Sequence, residues 1–309
     1  MVLGCGALNV DYLFAAELLV TDGETFCHPV TRQPGGSAAN TVYGLSKLSF
    51  PCAFVGAVGN DPDGRLALEA LAEVGVNTQA VKVREGRGTG KVFAFVDPKG
   101  KRALYVSPDA NLTLTLDDML EALTPEVRWV HCSSFAGDSP FQAQREFVSR
   151  LPEDIGFSFA PGALYARRGL KELEPMLCRC TLLFLTQAEL ETLTGEGVLL
   201  NGARLLLNLG VRVVVVTLGG EGSVVVTPGG CDYQTALAQR VVDTTGAGDG
   251  FAAGMLYGYL RGWPLELAHR LASVVAAFVV ENWGARAGMP SLEEAKNRYE
   301  ATFGLPFPE

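Results

Sequence analysis

The feature that most constrains the fold is an alternation of strand-like and helix-like stretches that begins near Val127. Residues 127–133, 155–159, 181–185 and 211–218 are short and rich in apolar and β-branched residues, as strands are. Between them, residues 141–151 and 169–177 read as helices. Strand and helix in turn build βαβ units, which give a parallel sheet with helices on both faces. The first half adds strands at 2–11 and 53–58 and helices at 37–48 and 65–74, with an irregular stretch at 12–33. Residues 89–96 and 102–107 alternate about the turn Asp97-Pro-Lys-Gly100 and read as a β-hairpin. A chain of 309 residues suits one large α/β domain or two smaller ones.

Chemistry concentrates in the stretch Val241-Val-Asp243-Thr-Thr245-Gly246-Ala247-Gly248-Asp249. A short apolar strand is expected to run into Asp243, and a buried helix to follow Asp249. Small residues at a helix start leave backbone N–H groups uncovered, and the helix dipole turns its positive end the same way. Such a start is an anion site suited to phosphate. Gly248 is expected to need the backbone freedom of glycine. A carboxylate beside a phosphate site repels its guest, so Asp249 makes sense as a proton acceptor for a substrate hydroxyl. The alternative is an aspartate N-cap after a glycine turn.

Pro34-Gly35-Gly36-Ser37-Ala38-Ala39-Asn40 forms a second candidate site. The double glycine lets a ligand approach the backbone, and Asn40, one turn into the helix, offers a donor and an acceptor to hydroxyls. Asp11 closes the first expected strand, where ligands bind in open α/β sheets, and reads equally as a strand-end cap.

These two motifs resemble the C-terminal and N-terminal signatures of the ribokinase, or PfkB, family of sugar kinases. They occur in the family's order, and matching motifs run from Gly4 to the Gly284-Ala285 region. The resemblance implies a ribokinase-like three-layer sandwich with a mostly parallel central sheet. One kinase domain would span 1–309, with a small β-sheet lid formed by segments 12–33 and 89–107. It also implies transfer of the ATP γ-phosphoryl group to a sugar hydroxyl, as in ribokinase or fructokinase. Asp249 would be the general base, and Gly246, Ala247 and Gly248 the anion hole. Asp11, Gly35, Gly36 and Asn40 would hold the acceptor. Thr217, Gly219, Gly220, Gly222, Thr245 and Gly248 would lie along ATP. Glu189 would act on Mg2+ through water, although Thr186 replaces the asparagine of the family's Asn-x-x-Glu; read by itself, the segment is a surface helix carrying a glutamate. Asp243 would be a candidate for a monovalent cation such as K+. Ser37 stands where several sugar-specific members carry lysine, and the same motifs occur in nucleoside kinases, so an adenosine-like acceptor stays open. Many members dimerise through the lid, which makes a homodimer an expectation here.

Composition excludes other classes. A net charge of −9 argues against a nucleic-acid surface. Seven scattered cysteines read as reduced thiols in the cytoplasm. The apolar run 271–280 is half of a membrane span, and the first residues carry no basic leader, so no membrane partner is expected. Gly4-x-Gly6 keeps a dinucleotide-binding oxidoreductase as a remote alternative, and a catalytically silent binder on the same fold is another. Three histidines give a histidine mechanism little to work with.

Overall fold

The computed structural model describes residues 1–99 and 102–309. Its strands are β1 (Val2–Cys5), β2 (Asn9–Ala16), β3 (Cys27–Gly35), β4 (Cys52–Gly59), β5 (Val81–Arg84), β6 (Gly90–Val96), β7 (Arg102–Ser107), β8 (Trp129–Ser133), β9 (Gly156–Ala160), β10 (Leu182–Thr186), β11 (Val213–Thr217), β12 (Ser223–Thr227) and β13 (Gly230–Gln234). Nine of them form one sheet in the order β13-β12-β11-β10-β9-β8-β1-β4-β5. From β5 through β11 every pairing is parallel; β12 and β13 turn back antiparallel. The chain steps from β1 to β4 on one side and reaches β8 on the other. The carboxyl ends of β1 and β8 therefore flank a topological switch point, where open α/β sheets bind ligands.

Strand residues alternate between two apolar cores, as the two-residue period of a strand requires. Leu182, Val213 and Val215 join the core under the helices Ser37–Lys47, Ala247–Leu260 and Leu265–Val280. Leu183, Val214 and Val216 join Phe141, Phe147, Leu173 and Leu206 on the opposite face. Helices on both faces of a mostly parallel sheet give three layers, as the alternation requires. Gly4 and Gly6 serve this packing. A Cβ on Gly4 would meet Val42 at 2.7 Å, and one on Gly6 would meet Ser133 Oγ at 2.5 Å.

A separate four-stranded sheet has the order β3-β2-β6-β7. It contains the expected hairpin, with Lys91 opposite Ser107 and Val96 opposite Arg102; the turn residue Gly100 lies outside the described residues. The buried carboxylate of Asp63 ties this sheet to the helix Pro62–Glu73. Tyr12 Oη donates to Asp63 at 2.8 Å, Arg32 Nε donates at 2.7 Å, and Lys91 pairs with it at 3.5 Å. A charge this deep persists because it is paired and hydrogen-bonded.

Three local expectations differ from the structure. The stretch 2–11 is not one strand: the chain leaves the large sheet after Cys5 and enters the small one at Asn9. Asp11 is therefore the third residue of β2, paired with Gln33 and Val92, and not the end of a large-sheet strand. Residues 12–33 are mostly strand. Val241 to Asp243 form no strand; Val242 N and Asp243 N both donate to Val280 O, at 2.7 and 3.2 Å. No helix among the described residues is long and apolar enough to cross a membrane. All seven cysteines are free thiols.

Candidate active site

The site is built around the start of the helix Ala247–Leu260. Its cap, Gly246, is left-handed at φ 77°. A Cβ there would lie 2.6 Å from Ala285 Cα, so both conformation and space require glycine. Asp243 shapes the approach. Its Oδ1 accepts from Thr245 N at 2.9 Å and from Thr245 Oγ1 at 2.7 Å, and its Oδ2 accepts from Gly284 N at 3.0 Å. The first bond of the helical ladder runs from Gly250 N to Gly246 O at 2.9 Å. The amides of Ala247, Gly248 and Asp249 precede it, and Ala247 N turns back to Thr244 O at 3.3 Å. Gly248 has helical backbone and open space where a Cβ would stand, so its expected backbone requirement is not met. What a side chain would fill there is cavity.

That cavity has a volume of about 470 Å³ and is lined by Thr217, Gly219, Gly220, Gly222 and Gly248, all expected on it. Thr244 lines it in place of Thr245, whose hydroxyl is turned to Asp243. Ala276, Ala277 and Val280 of the helix Leu265–Val280 supply apolar wall.

Asp249 sits one residue beyond Gly248, half-buried. Its Oδ1 accepts from Ser37 Oγ at 2.7 Å and its Oδ2 from Asn40 Nδ2 at 2.8 Å. Burial pushes its carboxyl up to about 6; Glu189 adds to the rise, while the two hydrogen bonds and Arg286 oppose it. A carboxylate so placed can exchange a proton near neutral pH. Both ends of the Asn40 amide are engaged, because its Oδ1 accepts from Arg286 Nε at 2.8 Å. Asn40 therefore bridges Asp249 and Arg286, using one amide hydrogen and one oxygen lone pair.

Asp11 does reach this region. A Cβ on Gly35 would collide with its carboxylate, so glycine makes the room it occupies. Its Oδ1 is buried without a hydrogen-bond partner among the described residues. Burial pushes its carboxyl up to about 6, with Arg286 pulling down and Asp249 pushing up. Gly36, at φ 104°, caps the helix Ser37–Lys47 against the Ala7 carbonyl. A second cavity of about 140 Å³ opens beside Gly36 and Ser37, at the ends of β1 and β8.

Glu189 and Thr186 form a capping box at the helix Gln187–Thr194: Thr186 N donates to Glu189 Oε2 at 2.8 Å, and Glu189 N donates to Thr186 Oγ1 at 3.2 Å. Threonine is thus a sound helix start in place of the asparagine that the family resemblance implied. The sequence did not reveal Ser37 or Arg286 as partners of Asp249. The one available signal was that Arg286 is the lone charge in a run of small and apolar residues between Glu281 and Glu293.

A mostly parallel sheet with helices on both faces, a small second sheet and a glycine-started helix at the wall of a cavity describe a protein of the ribokinase fold. The nucleoside kinase of Burkholderia thailandensis in complex with inosine superposes with a TM-score of 0.86 at 21% identity, covering 99% of this chain and 98% of that one. The Arabidopsis thaliana ribokinase complexed with ribose and ATP gives 0.80 at 25% identity, covering 97% and 98%. An uncharacterized sugar kinase of Archaeoglobus fulgidus is 37% identical over 80% of this chain and 98% of its own. A nucleoside kinase of Methanothermobacter thermautotrophicus is 30% identical over 87% and 85%. The pfkB family carbohydrate kinase model matches residues 2–292, and the chain belongs to that family. It is a phosphotransferase with an alcohol group as acceptor.

Proposed function

We propose that this kinase transfers the γ-phosphoryl group of ATP to a hydroxyl of a sugar, with Asp249 as general base. The observation that carries the reading is the pairing of a carboxylate held by Ser37 and Asn40 with the amides of a glycine-started helix at the wall of a cavity. ATP would lie along Thr217, Gly219, Gly220, Gly222 and Gly248. Asp249 would take the hydroxyl proton as the acceptor oxygen bonds to the γ-phosphorus and the bond to the β-phosphate oxygen breaks, releasing ADP. Ser37 and Asn40 aim the carboxylate, and the Gly246, Ala247 and Gly248 turn holds the transferring group. Such transfer asks mainly for positioning and electrostatics, so few reactive side chains are needed.

No group of three or more His, Cys, Asp or Glu side chains among the described residues gathers to hold a metal. Mg2+ would be bound mainly by nucleotide phosphates, with Glu189 acting through water, because magnesium is usually held by one or two carboxylates and substrate phosphates. When bound, Mg2+ would neutralise phosphate charge. Asp243, which joins the 243–245 turn to Gly284, is our candidate for response to K+.

A nucleoside acceptor is the second reading, and the smaller cavity favours it. Val106, Ala136 and Leu164 give that cavity an apolar wall suited to a flat base, beside polar Asn9, Ser37 and Ser134. We place Asp11, Gly35 and Gly36 on the acceptor in either case, with the small sheet as lid. We also propose a homodimer through that sheet, whose Phe14–Phe95 stack and exposed Tyr105 offer an apolar face, and a cytoplasmic site of action, where ATP is supplied. An ADP-release screen with ribose, fructose, inosine and adenosine tests the reading. Turnover of a sugar supports the first form and of a nucleoside the second; a chain that phosphorylates neither contradicts both.

A further inference from the structure

One buried charge has no part in that scheme. Arg286 is 9% exposed. Its Nε donates to Asn40 Oδ1 at 2.8 Å, its Nη2 lies 3.4 Å from Gly35 O, and its guanidinium stands 5.2 Å from the centre of the Tyr43 ring. Its Nη1 is buried without a hydrogen-bond partner among the described residues. Burying a guanidinium is costly, so the site must return something for it.

Two consequences follow from this placement. An arginine only donates, so it demands the oxygen end of the Asn40 amide. The nitrogen end then faces Asp249 and donates to it. The second consequence is electrostatic. Asp249 is approached by Ser37 and Asn40 from the helix Ser37–Lys47, by Glu189 from the helix Gln187–Thr194, by Asp11 from β2 and by Arg286 from the 284–288 loop. Glu189 and Asp11 are acidic, and Arg286 is the cation that bears on both Asp11 and Asp249, with Tyr43 against its own face.

We propose that Arg286 is the positioning residue of the catalytic base: it fixes the Asn40 amide toward Asp249 and sets one positive charge among the carboxylates of this site. The proposal rests on the reading of Asp249 as base. It assigns Arg286 no contact with ATP or acceptor.

The sign of the effect is definite. Without the cation, the rise imposed by burial and added to by Glu189 is less opposed, ionisation of Asp249 becomes harder, and the base stays protonated to higher pH. Charge and geometry separate in two substitutions. Arg286→Gln can still donate to Asn40 but carries no charge. Arg286→Lys keeps the charge but lacks the fork that spans Asn40 and Gly35.

The test is the pH dependence of kcat/KM in the full chain, with whichever acceptor the screen turns over and with ATP binding by thermal shift as a check of folding. Arg286→Gln should move the acid limb up by roughly one pH unit or more, so activity lost at pH 6.5 returns largely by pH 8.5. Arg286→Lys should leave the limb near that of the wild type and lower the plateau. An equal loss for Arg286→Gln at every pH overturns the electrostatic role, and wild-type behaviour of Arg286→Lys overturns the positioning role. If Arg286→Gln does not fold, the Asn40→Ala background decides: Arg286→Lys should then cost little further, since both changes act on one chain of bonds. A full additional loss contradicts the proposal. Should Asp249→Asn retain its turnover, the base assignment itself has failed; a dead Asp249→Asn with an unmoved limb in Arg286→Gln refutes the inference about Arg286 alone.

Discussion

Asn40 Nδ2 donates to Asp249 Oδ2 across 2.8 Å, although 209 positions separate them in the chain. This bond joins the two glycine-bearing motifs into one site. Asn40→Ala should remove a bond to a charged acceptor, worth roughly 1.5–3 kcal/mol, and so lower kcat by ~10- to 10²-fold. The loss should be larger at pH 6.5 than at pH 8.5, because the missing donor also stabilised the ionised carboxylate. A pH-independent decrease would show that Asn40 matters only for packing.

Two glycines two residues apart should behave differently. Gly246→Ala must hold a side chain at φ 77° against Ala285, so it should lower stability by at least ~1–3 kcal/mol. Gly248→Ala enters open space on helical backbone and should leave the melting temperature nearly unchanged while raising KM for ATP. Thermal melts and ATP titrations of the pair check this. Equal melting temperatures for both variants would contradict the assigned geometry.

Thr186 and Glu189 should separate structure from metal response. Thr186→Ala removes an N-cap hydroxyl and should cost ~1 kcal/mol of stability. Glu189→Gln can keep an oxygen on Thr186 N, so its fold should persist while the magnesium concentration for half-maximal rate rises. An unchanged magnesium titration removes Glu189 from the site.

Beside the larger cavity, His269 bridges Ser223 and Asp232, with Nε2 2.7 Å from Ser223 Oγ and Nδ1 2.7 Å from Asp232 Oδ2. Burial holds its pKa down, with Asp232 opposing. His269→Leu leaves a buried hydroxyl unpaired and should destabilise by roughly 1–3 kcal/mol. Ser223 lines the cavity, so KM for ATP should rise as well. Normal ATP affinity in a destabilised variant would confine this network to folding.

The sequence revealed the parts governed by local periodicity and missed those made by distant pairing. β8 to β11 were legible because each apolar run announces itself. β3 was not: Pro29 and Pro34 interrupt it, most of it is exposed, and it pairs along one edge with β2. Asp249 and its glycines were legible because the helix start is local. Arg286 was not, since its partner Asn40 lies 246 positions away and a lone charge among small and apolar residues does not name its partner. Asp11 was singled out in the sequence but assigned to the wrong sheet, because Ala7 and Leu8 hide the break between β1 and β2 in an apolar run.

The central claim is that Asp249 removes the proton from the acceptor hydroxyl. Asp249→Asn preserves size and removes the titrating group. Its kcat should fall by at least ~10²-fold at every pH, as loss of a general base requires, while ATP affinity stays within a few-fold. In the wild type, kcat/KM should fall as pH drops through about 6, where Asp249 and the neighbouring Asp11 both take up protons. Measured together, a dead variant that still binds ATP and an acid limb near 6 are the predicted result; near-wild-type turnover by Asp249→Asn would contradict the account.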